Sequence, residues 1–456
     1  IIKGTVVIDS DDDATGANSE DLDGNILFNT SINGFDGTTD NLTIEGGSGD
    51  LTLVKFGNSE HLESLTINSQ STGVSALSVP QIGVDSSAID SSTGAGVSGN
   101  VTIGNTNTAS ITMTGAIYSV GTGNITLTTT AGDTSNAEIV FNGGSTGPDV
   151  DPYIATAGGN ISFVGGEVQL ANHSDLTINS NRLGGNTSGD ISIAKNIDGT
   201  SAEDLTITTT TSGTGTISLG PVGAGTFTTG NAIEINTLTV TGAGAITLNG
   251  DISTDDVAGS EVSITGNVVL TSDADNTITV TTASGNGNVT VSGSVIGTSG
   301  TDQTLAISSG GGDVSIGSIG STSAATKLNK VEINKTDGAA GDIAIGNIGG
   351  TDSGTAFVGA EGAVIIGNAN TAILTLSGDS YFFDDTVAFQ AADGSTNNDI
   401  RLTSATGTTI TTTDNTITFE DGVIKLTAGL TKIESNGGKI TLTETRGSGD
   451  EDLTLD

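Results

Sequence analysis

The 456 residues carry 53 acidic side chains against 12 basic ones, a formal net charge of −41, yet only 14% of the chain is charged. The acidity therefore comes from missing Lys and Arg, and it excludes nucleic-acid binding through a basic groove and disfavours anionic membrane surfaces. Two His and no Cys exclude a Cys/His zinc site and a disulfide framework, and no apolar run is long enough for a membrane-spanning helix.

In chain order, Ile1-Ile2-Lys3-Gly4-Thr5-Val6-Val7-Ile8 reads as a strand, and it opens without Met or a charged-then-apolar leader, as a processed product or a piece of a longer chain would. The acidic run 9–20 follows. Its carboxylates at loop positions one, three, five and twelve, Asp9, Asp11, Asp13 and Glu20, match the ligand spacing of an EF-hand-like Ca2+ loop. Ala14 stands where that loop needs Gly and no helices flank it, so a solvated acidic turn is the competing reading.

From Gly24 onward one element recurs: Gly, then Asn or Asp, then an alternating apolar triplet. Copies are Gly24-Asn25-Ile26-Leu27-Phe28, Gly99-Asn100-Val101-Thr102-Ile103, Gly123-Asn124-Ile125-Thr126-Leu127, Gly159-Asn160-Ile161-Ser162-Phe163 and Gly189-Asp190-Ile191-Ser192-Ile193. Between them sits a second element, a polar residue before Leu-Thr-Ile or a relative, as in Asn41-Leu42-Thr43-Ile44, Ser64-Leu65-Thr66-Ile67 and Asp204-Leu205-Thr206-Ile207. A longer unit spans 312–320 and 341–349 and matches 49–57; in it a third apolar residue follows a corner and a closing Gly supplies a positive φ. From Gly189 to Gly341 the Gly-to-Gly intervals run from 21 to 29 residues.

Short strands at such a period cannot bury their apolar faces alone; stacked on equivalents about 4.8 Å away they can. The expectation is an all-β fold, a parallel β-helix or β-solenoid with coils of about 20–30 residues. An array of β-sandwiches competes, but the period is too short for a sandwich domain. One elongated domain over 1–456 is expected, with less regular, inserted segments near 70–98 and 350–400. Tyr381-Phe382-Phe383 reads as filling for a wider section of core.

Runs such as Asn41-Leu42-Thr43-Ile44-Glu45-Gly46-Gly47-Ser48-Gly49-Asp50-Leu51-Thr52-Leu53 and Gly437-Gly438-Lys439-Ile440-Thr441-Leu442 resemble the large bacterial β-strand-repeat exoproteins, filamentous haemagglutinin-like adhesins and related surface fibre proteins. The resemblance lies in pattern and composition over essentially the whole chain. It implies a right-handed parallel β-helix, secretion from a prokaryote, and work in adhesion, surface layers or filaments.

The remaining motifs favour a non-enzymatic chain. His61 and His173 stand apart without partner motifs, and a sugar-cleaving β-helix would want aromatic platforms that a chain with no Trp and three Tyr lacks. Thr-rich arrays such as 126–130 and 408–413 lack the strict period of an ice-matching face. Sequons at Asn29, Asn41, Asn124, Asn160 and Asn186 arise readily in this composition. Both chain ends read as strands, so Ile2, Val6 and Ile8 at one end and Leu453 and Leu455 at the other are candidate polymer contacts. The expected function is a secreted structural protein joined end to end with its own copies, or an adhesin stalk that binds surface or matrix components through inserted loops.

Overall fold

The computed structural model describes the chain apart from 11–24, 36–39, 48, 70–75, 84–95, 131–137, 144–150, 172–173, 185–186, 201, 211, 224–234, 255–259, 272–276, 283–285, 299–302, 321–325, 339–340, 353–354, 394–398, 428 and 448–450. Among the described residues there is no α-helix, and nearly every strand pair is parallel. The chain forms two compact units, Ile1–Ile235 with Thr239–Gly244 and Asn236–Leu238 with Ala245–Asp456.

Both units wind as parallel β-solenoids, three strands to a coil. In the first unit the strands Ile125–Thr128, Glu138–Asn142 and Tyr153–Ala155 make one coil. Ile161–Val164, Glu167–Ala171 and Leu176–Asn179 make the next. Each strand lies in register on its equivalent: Ile125 on Ile161, Ile139 on Val168, Tyr153 on Thr177. The three columns are called here the first, second and third sheets. Alternation explains the burial, because side chains two apart share a face. Leu65, Ile125, Ile161, Ile191 and Ile217 stack inward in the first sheet, none more than 3% exposed.

The Gly-Asn motif is the rung of this ladder. The Asn124 N–H donates to Asn100 Oδ1 at 2.9 Å, Asn160 N–H to Asn124 Oδ1 at 2.8 Å, Asp190 N–H to Asn160 Oδ1 at 2.8 Å and Thr216 N–H to Asp190 Oδ1 at 2.8 Å. Successive rungs are 24, 36, 30 and 26 residues apart, so one of these coils exceeds the expected length. The glycine before each rung is needed for close approach: a Cβ on Gly159 would stand 1.9 Å from the Gly123 carbonyl oxygen, and one on Gly189 would stand 2.1 Å from that of Gly159. The closing glycines of the longer unit differ; Gly57, Gly320 and Gly349 have φ of 62°, 58° and 72°, as their turn requires.

The second unit repeats the device: the Asp313 N–H donates to Asn288 Oδ1 at 2.9 Å and the Asp342 N–H to Asp313 Oδ1 at 2.8 Å. Its strand Val289–Gly297 runs through a corner, with a register shift between Val291 and Ser294. Tyr381 and Phe383 point into the core, as the aromatic cluster suggested, while Phe382 faces outward. Phe383, Phe389 and Phe419 continue as a ring stack with centroids 6.2 and 5.1 Å apart. An antiparallel hairpin, Gly350–Asp352 with Thr355–Phe357, interrupts one coil, and parallel strands follow from Val364. Around 70–98 the strand Ala76–Val79 keeps its place in the second sheet.

Candidate functional site

The first and last described strands each pair on one side among the described residues. Thr5–Asp9 pairs on one side with Asn41–Glu45, which sets Val6 on Leu42 and Ile8 on Ile44. Leu42 and Ile44 are fully buried, whereas Val6 and Ile8 are only half-buried. Ile2 bridges to Gly34 and is likewise half-buried. At the other end Asp452–Leu455 lies on Leu430–Glu434, with Leu453 on Thr431 and Leu455 on Ile433. Ile433 is fully buried; Leu455 is 51% exposed. The five candidate contacts thus continue the inward columns, and each is more exposed than its buried neighbour in the adjoining coil.

Outward faces of the first unit differ in charge. The first sheet carries two files in register: a hydroxyl file, Thr43, Thr66, Thr102, Thr126, Ser162, Ser192 and Ser218, and beside it the rung residues. Sequence spacing hides this order because unequal lengths of chain separate the copies while the strands stay aligned. The sequons at Asn41, Asn124 and Asn160 belong to the same two files, an outcome of rung plus outward hydroxyl. Asn186 lies outside the described residues.

Carboxylates gather elsewhere. Glu138 sits in register beside Glu167 in the second sheet, and burial together with the Glu167 charge raises its pKa above the ordinary carboxylate value. In the third sheet Asp175 Oδ1 accepts the Asp204 N–H at 2.7 Å. Burial raises the Asp175 pKa, the Asp204 N–H opposes this, and the charges of Asp204, Asp151 and Glu203 add to the rise. In the second unit Asp342 is raised by burial and by Asp313. Glu332 is lowered despite its own burial by hydrogen bonds and charge from Lys330 and Lys335.

Basic residues concentrate in the second unit, where Arg401, Lys425 and Arg446 stand in register on three successive coils. The carboxylate of Asp399, 1% exposed, holds Arg401 at 3.1 Å and Lys425 at 2.5 Å; Arg446 pairs with Glu444 at 2.6 Å. The sequence reading missed this column, although three cations each preceded two residues earlier by Asp399, Val423 or Glu444 were visible in it.

It also missed a matched pair of tyrosine staples. Tyr118 Oη accepts the Gly115 N–H at 2.6 Å and donates to Val79 O at 3.0 Å; Tyr381 Oη accepts the Gly378 N–H at 2.8 Å and donates to Ile345 O at 3.0 Å. Burial pushes both phenol pKa values above the usual range. The shared Gly-x-x-Tyr spacing was the available signal.

Of the candidate Ca2+ loop, Asp9 ends the first strand opposite Glu45, while Asp11, Asp13 and Glu20 lie outside the described residues, as does His173. Among the described residues no three His, Asp or Glu side chains group as metal ligands. His61 lies beside the buried Leu62, and its carbonyl oxygen closes on Gly34. Comparison with known protein families, with curated proteins and with solved structures finds no match.

Proposed function

We propose that this chain is a secreted structural protein whose end coils join further copies head to tail into an extracellular fibre or sheath. The observation that supports it is the pair of outermost strands, Thr5–Asp9 and Asp452–Leu455, each paired on one side among the described residues and with apolar side chains in register with columns buried in the adjoining coils. Placing Val6 over Leu453 and Ile8 over Leu455 would extend the parallel pairing by one coil and bury four aliphatic side chains. Sedimentation of the purified chain tests this: wild type is expected to form concentration-dependent polymers, and Val6→Lys with Leu453→Lys to remain discrete. Discrete wild-type particles at high concentration would refute it.

The hairpin Gly350–Asp352 and Thr355–Phe357 supports a second reading, an adhesin stalk that contacts a surface or matrix component through this insertion. Loss of glycan or matrix binding on deleting 350–357, with the fibre intact, would favour that reading.

A further inference from the structure

The three outward faces of the first unit are not equivalent in charge, and copies of a chain at −41 repel one another wherever carboxylates meet. The second sheet displays Glu138 and Glu167 side by side. The third carries Asp175 and Asp204, with Asp151 and Glu203 close enough to raise the Asp175 pKa. Across six coils of the first sheet, from Ser64 to Ser218, the two outward files hold one carboxylate, Asp190, among amides and hydroxyls. Glu63 stands at the edge of this face, where its carboxylate accepts the Ser98 hydroxyl at 2.8 Å.

We infer that the first sheet of the first unit is a lateral self-association face, on which a second copy docks face to face. Electrostatics selects the occupant: this face lets two copies approach without setting carboxylate rows against each other, and its donors and acceptors are self-complementary under a two-fold axis. Thr126 and Ser162 lie near the middle of the six coils, so the axis passes close to them. Six coils at about 4.8 Å and strands of three or four residues give a face of roughly 400 Å² per copy. That is about half of what a stable pair buries. The contact is therefore weak between single chains and gains strength only when repeated along a fibre, so it rests on the head-to-tail reading for its avidity. Salt strengthens it by screening the remaining repulsion.

The chain has no cysteine, so single Cys variants report the geometry directly. Thr126→Cys on the first sheet, Gln169→Cys on the second and Thr177→Cys on the third, each treated with a flexible bis-maleimide in high salt, are the probes. The expected result is a covalent dimer yield several-fold higher for Thr126→Cys than for the other two, falling as salt is withdrawn. Equal yields at the three positions, or no dimer at Thr126→Cys, would overturn the inference and leave the face to another neutral surface. Repeating the reaction with Val6→Lys and Leu453→Lys added separates the two proposals. With the two lysines the dimer yield should fall together with the fibre; in the chain with unaltered ends, lateral dimers without polymers would uphold this face and sink end joining, and polymers without Thr126→Cys dimers would do the reverse.

Discussion

Replacing Gly159 with Ala strikes the rung system where it is tightest. The new Cβ would lie 1.9 Å from the Gly123 carbonyl oxygen, and real Cβ atoms do not come within 3.0 Å of such a backbone atom, so this corner must move by at least 3.0 − 1.9 = 1.1 Å. Two bonds span that gap, Asn160 N–H to Asn124 Oδ1 and Ile125 N–H to Asn160 O, both 2.8 Å. A shift of that size carries them beyond hydrogen-bonding distance. Two neutral bonds contribute about 2 kcal/mol, overpacking costs about 1–3 kcal/mol, and the reduced freedom of the unfolded chain returns about 0.4–1 kcal/mol. The net loss is about 2–4.6 kcal/mol, felt locally because repeat stability is a sum of neighbouring terms. Native-state hydrogen exchange reads it: peptides covering 125–128 and 161–164 should lose protection by roughly 30- to 2500-fold. Gly338→Ala is the control, since no atom lies within 4 Å of its Cβ and its φ is not left-handed; it should leave exchange unchanged or slightly slower. Wild-type protection in Gly159→Ala would refute the claim that contact between coils, not turn conformation, demands glycine there.

Tyr118→Phe and Tyr381→Phe each remove a hydroxyl that joins two coils and should lower local stability by about 1–3 kcal/mol, measured by exchange at 79 and 115 or at 345 and 378. Lys425→Met leaves the buried Asp399 with Arg401 as its remaining ion-pair partner and should cost about 1–2 kcal/mol, whereas Lys425→Arg should restore most of it. The pH dependence has a definite sign. Glu138 and Asp175 have raised folded pKa values, so their contribution is fully present below the ordinary carboxylate pKa near 4 and is lost as pH rises through the raised values. Hydrogen-exchange stability of the first unit, corrected for intrinsic rates, should show this loss, and Glu138→Gln with Asp175→Asn should flatten it; an unchanged slope would contradict the stacked-carboxylate account.

How much of this could be read from the sequence depended on whether the signal was local. Alternation in Ile125-Thr126-Leu127 names the inward residues directly, and the corner in 312–320 places Val314, Ile316 and Ile319 in the core as spacing suggested. Parallel pairing followed from the period, which stacks equivalent strands of successive coils. Register across coils was not local: Thr66 and Thr102 are neighbours although they lie 36 residues apart in sequence, and no count of residues between them shows it. The reason for the motif glycine was likewise hidden, because what crowds Gly159 is Gly123, one coil away. The Asp399 ion pairs and the tyrosine staples also join residues from different coils, so only three-dimensional stacking brings them together.

Fibre diffraction from aligned assemblies of the purified chain tests the central claim most directly. Head-to-tail stacking of parallel coils places the strand spacing along the fibre, so a meridional reflection near 4.8 Å is predicted, and it should vanish with the fibres in Val6→Lys with Leu453→Lys. A 4.8 Å reflection on the equator, or fibres that survive the two lysines, would contradict it.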